Sequence, residues 1–139
     1  MPTITGLAHV EISVHDLDAS EAWYVKTFDM VRVFDGKDDA IGIRARALLE
    51  PRSGVIFAIT EHKGNAGERF DPRRTGLDHV SFSVADRDEL LKWQSHLKAL
   101  GSAPSAIVEQ GAGFSSFTVP DPDGIPVEFF AAGTQPPAN

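Results

Sequence analysis

The feature that most constrains this chain is that it is written twice. With a constant offset of 70, the segment from Gly6 to Met30 aligns without a gap to that from Gly76 to Leu100. Nine of 25 positions are identical, among them His9/His79, Val10/Val80, Asp16/Asp86, Asp18/Asp88 and Trp23/Trp93. A period of half the chain is too long for a solenoid and points to two fused copies of one unit. The polar, turn-rich stretch from His62 through Gly64, Asn65 and Pro72 to Arg74 marks the junction. Two modules are expected, residues 1–64 and 75–132, joined by a linker at 65–74 and followed by a tail at 133–139.

Each copy opens with alternation. Ala8, Val10, Ile12 and Val14 are apolar while His9, Glu11 and Ser13 fall between them, and Val80, Phe82 and Val84 alternate with His79, Ser81 and Ser83. Period two predicts a strand with one face on an apolar layer. A helix follows in each copy. Asp18 with Glu21, and Asp86 with Glu89, have the spacing of an N-cap and its acidic partner; Trp23 and Trp93 are expected to anchor the buried faces, and Gly101 to end the second helix. Three short strands complete each copy: Met30–Asp35, Ala40–Glu50 and Val55–Thr60 in the first, Ala106–Glu109, Phe114–Val119 and Pro126–Ala131 in the second. Asp121-Pro122-Asp123-Gly124 is a hairpin turn, because Pro presets φ and Gly supplies a positive one. The fold class is α+β, with βαβββ occurring twice, and two such sheets side by side leave inner faces turned towards a shared hollow.

Composition narrows the chemistry. In 139 residues, 13 Lys and Arg against 20 Asp and Glu give a net charge of −7, with no basic block. That excludes the electrostatic footprint of a nucleic-acid or anionic-membrane binder. No apolar stretch approaches the roughly 20 residues that span a bilayer, and no secretory leader is evident, so a cytoplasmic location is expected. Without cysteine, any metal or redox chemistry must use His and carboxylate. His15, His62 and His96 lie in a turn, the linker and a polar helix face, where solvent contact suffices. His9 and His79 are repeat-equivalent on strands. Glu128 stands in the apolar run VEFFAA, where a carboxylate is costly to bury unless it is paired or bound to a cation. Together His9, His79 and Glu128 make a two-His, one-carboxylate set suited to a divalent ion: Fe, Mn, Ni, Co or Zn.

These residues carry a resemblance. The openings GLAHVEISVHDLDASEAWY and GLDHVSFSVADRDELLKW, with the ending FTVPDPDGIPVEFF, resemble the vicinal oxygen chelate superfamily, which includes glyoxalases, bleomycin resistance proteins and extradiol dioxygenases. The resemblance implies paired βαβββ modules forming a cup-shaped mixed sheet around a divalent metal, with ligands at His9, His79 and Glu128. Four-ligand members carry one more ligand on the last strand of the first module; aligning GVIFAIT with PVEFFAA puts Ile56 opposite Glu128, so this chain is similar to the three-ligand members. Members of bleomycin-resistance type lack the ligand set.

Further candidates lie near this set. Glu11 shares the face of His9 and is a candidate general acid or base. Arg44 and Arg46 alternate with Ile43, Ala45 and Ala47, and on the inner face they would favour an anionic substrate. Phe114, Ser116 and Thr118 share the corresponding face of the second module and suit a small organic ligand. The reading is a metal-dependent enzyme acting on a small oxygen-bearing molecule, by lyase or isomerase chemistry or by ring-cleaving dioxygenation, with no nucleic-acid or membrane partner. Tyr24, the only tyrosine, is placed on a helix, which weighs against the dioxygenase branch. The alternative is a binding protein that sequesters an antibiotic or aromatic molecule. A homodimer is expected, with modules pairing within a chain or exchanged between chains.

Overall fold

The computed structural model describes residues 1–133, and the expected tail beyond Gly133 lies outside the described residues. The chain divides into two compact units, Met1–Glu68 and a second beginning at Arg69. The first runs β1 (Val10–Val14), α1 (Leu17–Phe28), β2 (Val31–Asp38), β3 (Ile43–Leu49) and β4 (Ile56–His62). The second runs β5 (Val80–Val84), α2 (Arg87–Ala99), β6 (Val108–Gln110), a 3₁₀ turn (Gly111–Gly113), β7 (Phe114–Pro120) and β8 (Pro126–Ala131). Strand order is β1-β4-β3-β2 in one sheet and β5-β8-β7-β6 in the other. In each sheet the first strand pairs parallel with the last, and the remaining pairs are antiparallel. The βαβββ unit read from the sequence is therefore present twice. No helix among the described residues is long and apolar enough to cross a membrane.

Each helix covers one face of its own sheet. In the first unit Tyr24, fully buried, stacks on Phe28 at 6.1 Å and meets Phe57 of β4 at 4.6 Å, with Ile12, Val14, Leu48 and Ile59 filling the layer. Tyr24 and not Trp23 is the anchor; Trp23 is only half-buried, touching Tyr24 edge-on. In the second unit Leu90 and Leu97 are buried, and Trp93 lies on Phe129, which stacks on Phe117. Burying such rings removes of order 150–250 Å² each from water, so these clusters dominate the cohesion of the two cores.

Helix ends follow local hydrogen bonding. Asp16, two residues earlier than expected, caps α1: its Oδ1 accepts from the N–H of Asp18 and Ala19 at 3.0 and 2.9 Å. Asp18 instead sits in the first turn, favourable beside the positive end of the helix dipole. Asp86 caps α2 as expected, accepting from the Glu89 N–H at 2.9 Å. Gly101, at φ 85°, takes the left-handed conformation just past α2 and donates to the Lys98 carbonyl. The turn before β8 closes around Asp121, whose Oδ1 accepts from Asp123 and Ile125 while Gly124 sits at φ 85°.

Candidate functional site

With the helices on one side, strand alternation assigns the opposite face. In the second unit Val80, Phe117, Val119, Val127 and Phe129 are buried towards α2, so the intervening residues turn away from it. Ser81 and Ser83 come from β5, Glu128 and Phe130 from β8, and Phe114, Ser116 and Thr118 from β7. Register places Ser81 opposite Glu128 and Thr118 opposite Glu128 from the other side. His79 directly precedes β5 and reaches the same place: its Nε2 is 3.5 Å from Glu128 Oε2.

Glu128 is held rather than loose. Its side chain is only 15 % exposed, and Oε2 accepts from the Ser81 hydroxyl at 2.7 Å. Among the described residues no Lys or Arg is paired with it, and the Ser81 hydroxyl donates to it. His79 is held from the other end. Asp78 Oδ1 lies 2.6 Å from Nδ1, and an ionised carboxylate only accepts, so the ring N–H is at Nδ1. Nε2 is the nitrogen that faces Glu128. A carboxylate behind the far nitrogen is the usual support of a metal-bound histidine. Asp78 was not legible as a site residue, because its repeat-equivalent is Ala8 and identity between copies was the guide.

The first unit carries a different set on its corresponding face. Glu11 bonds to the hydroxyl of Thr60 on β4, and its Oε2 is 3.9 Å from His9 Nε2. His9 and Glu11 thus share a face as expected, both about half-exposed. Strand pairing corrects the expected equivalence: Glu11 opposes Ala58 as Ser81 opposes Glu128, so the counterpart of Glu128 is Ala58, not Ile56. Alanine cannot ligate either. Glu61 is turned the other way, its Oε2 accepting from the Leu17 N–H at 3.0 Å.

Arg44 and Arg46 are not where the alternation in β3 suggested. Both lie on the α1 side. Arg46, 8 % exposed, contacts Asp18 and Glu21 at 2.6 Å each and Asp35 at 3.4 Å, and Arg44 reaches Asp18 and Glu61 at 3.5 Å. The small residues Ala45 and Ala47, read as the core parity, face the other way, because α1 presents acidic side chains to this part of the sheet. Burial costs Arg46 solvation, but hydrogen bonding to Asp18 and the charges of Glu21 and Asp35 raise its pKa above the usual value. Asp18 is correspondingly lowered, first by its hydrogen bond to Arg46 and then by that residue's charge. These arginines form a structural ion network.

Among the described residues, no group of three or more His, Asp or Glu is gathered closely enough to hold a metal by itself. The second unit brings two donors together, and their 3.5 Å separation suits two ligands each about 2 Å from one cation.

A family model, the Glyoxalase/Bleomycin resistance protein/Dioxygenase superfamily, matches residues 6–129. Among solved structures, a glyoxylase/bleomycin resistance protein/dioxygenase domain from Frankia sp. EAN1pec is 29% identical, with a TM-score of 0.84 over 94% of this chain and 99% of that one. A glyoxalase family protein from Enterococcus faecalis is 19% identical, with a TM-score of 0.76 over 91% and 97%. The fosfomycin resistance protein FosX from Listeria monocytogenes, solved with Mn(II) and sulfate, is 20% identical, with a TM-score of 0.68 over 95% and 96%. No curated protein matches by sequence. The doubled βαβββ unit, its strand order and the match over 6–129 agree: this chain belongs to the glyoxalase/bleomycin resistance protein/dioxygenase superfamily.

Proposed function

We propose that the protein is a metal-dependent enzyme acting on a small oxygen-bearing organic molecule, with His79 and Glu128 as two of the ligands of a divalent ion. The observation that carries this reading is the arrangement Asp78–His79–Glu128–Ser81. A half-buried carboxylate and an imidazole nitrogen stand 3.5 Å apart, Glu128 held by the Ser81 hydroxyl and His79 by the Asp78 carboxylate. The donor set suits Fe, Mn, Ni, Co or Zn, and membership of a superfamily in which FosX was solved with Mn(II) supports it.

A bound divalent ion would supply Lewis acidity towards substrate oxygens and stabilise an oxyanion or enolate. This chain's residues do the rest. Asp78 keeps the His79 proton on Nδ1, and Ser81 orients Glu128 by donating to Oε2. Glu11, hydrogen-bonded to Thr60 and partly exposed, is the candidate proton carrier. Tyr24 is fully buried against Phe57 and takes no part, which favours lyase or isomerase chemistry over a ring-cleaving reaction that would use a tyrosine beside the metal. The alternative, sequestration without chemistry, draws no support from a carboxylate so carefully held.

Elemental analysis of untagged protein tests the reading. About one divalent ion per chain is expected, lost in His79→Ala and in Glu128→Ala; unchanged metal content in both variants overturns it.

A further inference from the structure

The two sheets differ at their outermost strands. β6, at one edge of the second sheet, has three residues and runs straight into the 3₁₀ turn Gly111–Gly113. β2, at the same place in the first sheet, has eight, and among the described strands it pairs with β3 alone. Its outer row of backbone N–H and C=O groups is thus presented to a further strand, a hazard that natural edges usually manage by being short or covered. The side chains add to it. Val31, Val33 and Phe34 are 49 %, 53 % and 57 % exposed, three large apolar groups within four residues. Single exposed apolar side chains need no explanation, whereas an apolar run on an open edge marks an interaction surface.

Charge decides what that surface takes. Pairing with β3 passes from Arg32↔Leu48 to Phe34↔Ala47, so Val33 is an extra residue, a β-bulge. In a regular strand residues three apart point to opposite faces, and the bulge cancels that alternation. Arg32 reaches Glu21 of α1 at 2.8 Å, Asp35 reaches Arg46 at 3.4 Å, and the two meet each other at 2.5 Å, all on the α1 side. The edge therefore carries a cation and an anion on one face, flanking Val33 and Phe34. A twofold axis between Val33 and Phe34 opposes Arg32 to Asp35 of a second copy twice over, Val33 to Phe34, and Val31 to Gly36. The Phe34 ring lies over Gly36, where a Cβ would stand, so Val31 of the second copy meets a phenyl ring there. Registers one residue to either side oppose Arg32 to Phe34 or Gly36, and one step further brings it against Lys37. One register alone matches charge with charge and apolar with apolar.

We propose that β2 pairs antiparallel with β2 of a second copy of this chain, joining two four-stranded sheets into one of eight. Arg32 and Asp35 then exchange partners between copies, and Val31, Val33 and Phe34 are covered by their counterparts. The occupant is a second copy because the charge order of this edge complements its own reversal. The pairing is independent of the metal centre.

Analytical ultracentrifugation tests this. Arg32→Asp and Asp35→Arg, each alone, set like charges against one another at both contacts and should halve the mass of the wild-type assembly. An equimolar mixture of the two variants opposes an acid to a base at both contacts again and should restore that mass. Val33→Lys, at an exposed position outside the ion network, should also halve the mass, and it decides the matter if either charge variant fails to fold. A wild type that sediments as a single chain, a Val33→Lys variant that keeps the wild-type mass, or a mixture of folded charge variants that stays at the smaller mass overturns the proposal.

Discussion

Placed in the register that strand pairing defines, the two sheets answer one another position by position, and their differences are concentrated where chemistry is. Glu11 stands where the second unit has Ser81, Ala58 where it has Glu128, and Thr60 where it has Phe130. Both faces hold one carboxylate bonded to one hydroxyl, but the pair has changed strands: the acid is on β1 in the first unit and on β8 in the second. The helix-covered faces diverge as sharply. Arg46 opposes Ile59 as Phe117 opposes Phe129, so a buried guanidinium occupies in one copy the position that a stacked phenyl ring occupies in the other. Duplication fixed the backbone, and each copy then satisfied it with different physics.

That contrast can be broken first at its core position. Phe117→Ala should lower the unfolding free energy by about 4 kcal/mol, the usual cost of emptying a buried ring site. Arg46→Ala should cost less, about 1–3 kcal/mol, because Asp18, Glu21 and Asp35 lose a shared countercharge while Arg32 still holds Glu21 at 2.8 Å. Chemical denaturation of both variants measures the difference, and a negligible loss in Arg46→Ala would show the network to be mere surface pairing. Next comes the histidine support. Asp78→Ala should weaken metal binding about 10- to 100-fold, whereas Ala8, at the equivalent position before His9, should tolerate replacement by Ser with little change. ¹⁵N spectra of the imidazoles would show the His79 proton leaving Nδ1 in the Asp78 variant; an unaltered tautomer would remove the positioning role.

The smallest effect concerns a turn of the first unit. Glu50 is held down to about 2, from an ordinary 4.5, by the Ser53 hydroxyl and the Arg52 guanidinium, aided by the backbone N–H groups of both. A depressed carboxyl contributes stability that is fully present above pH 4.5 and is lost as pH falls towards 2. Glu50→Gln should therefore lower stability slightly at neutral pH and flatten its decline over that acid range. An unchanged acid profile would rule out the contribution.

The repeat made the fold legible, since period-two alternation and paired Asp residues before each helix predict βαβββ twice. It also misled where the copies differ. Alternation in β3 gives two apolar parities, Ile43-Ala45-Ala47 and Leu48 alone, and counting favoured the wrong one. The buried side is settled by the acidic turn of α1, a tertiary contact that no local pattern reports. The Ile56 alignment failed for a related reason: neither VIFAIT nor PVEFFA carries an internal mark of register, and only the parallel ladder to the first strand fixes it. Glu128 was legible because a charge in an apolar strand is expensive. Asp78 was not, because acids beside turns are common.

The central claim is that the acid of the second sheet, not that of the first, belongs to the metal centre. Calorimetric titration of Mn(II) into the wild type, Glu128→Gln and Glu11→Gln decides it. Binding near one ion per chain should persist in Glu11→Gln and fall at least 100-fold in Glu128→Gln. Binding abolished in the first and intact in the second would contradict the account.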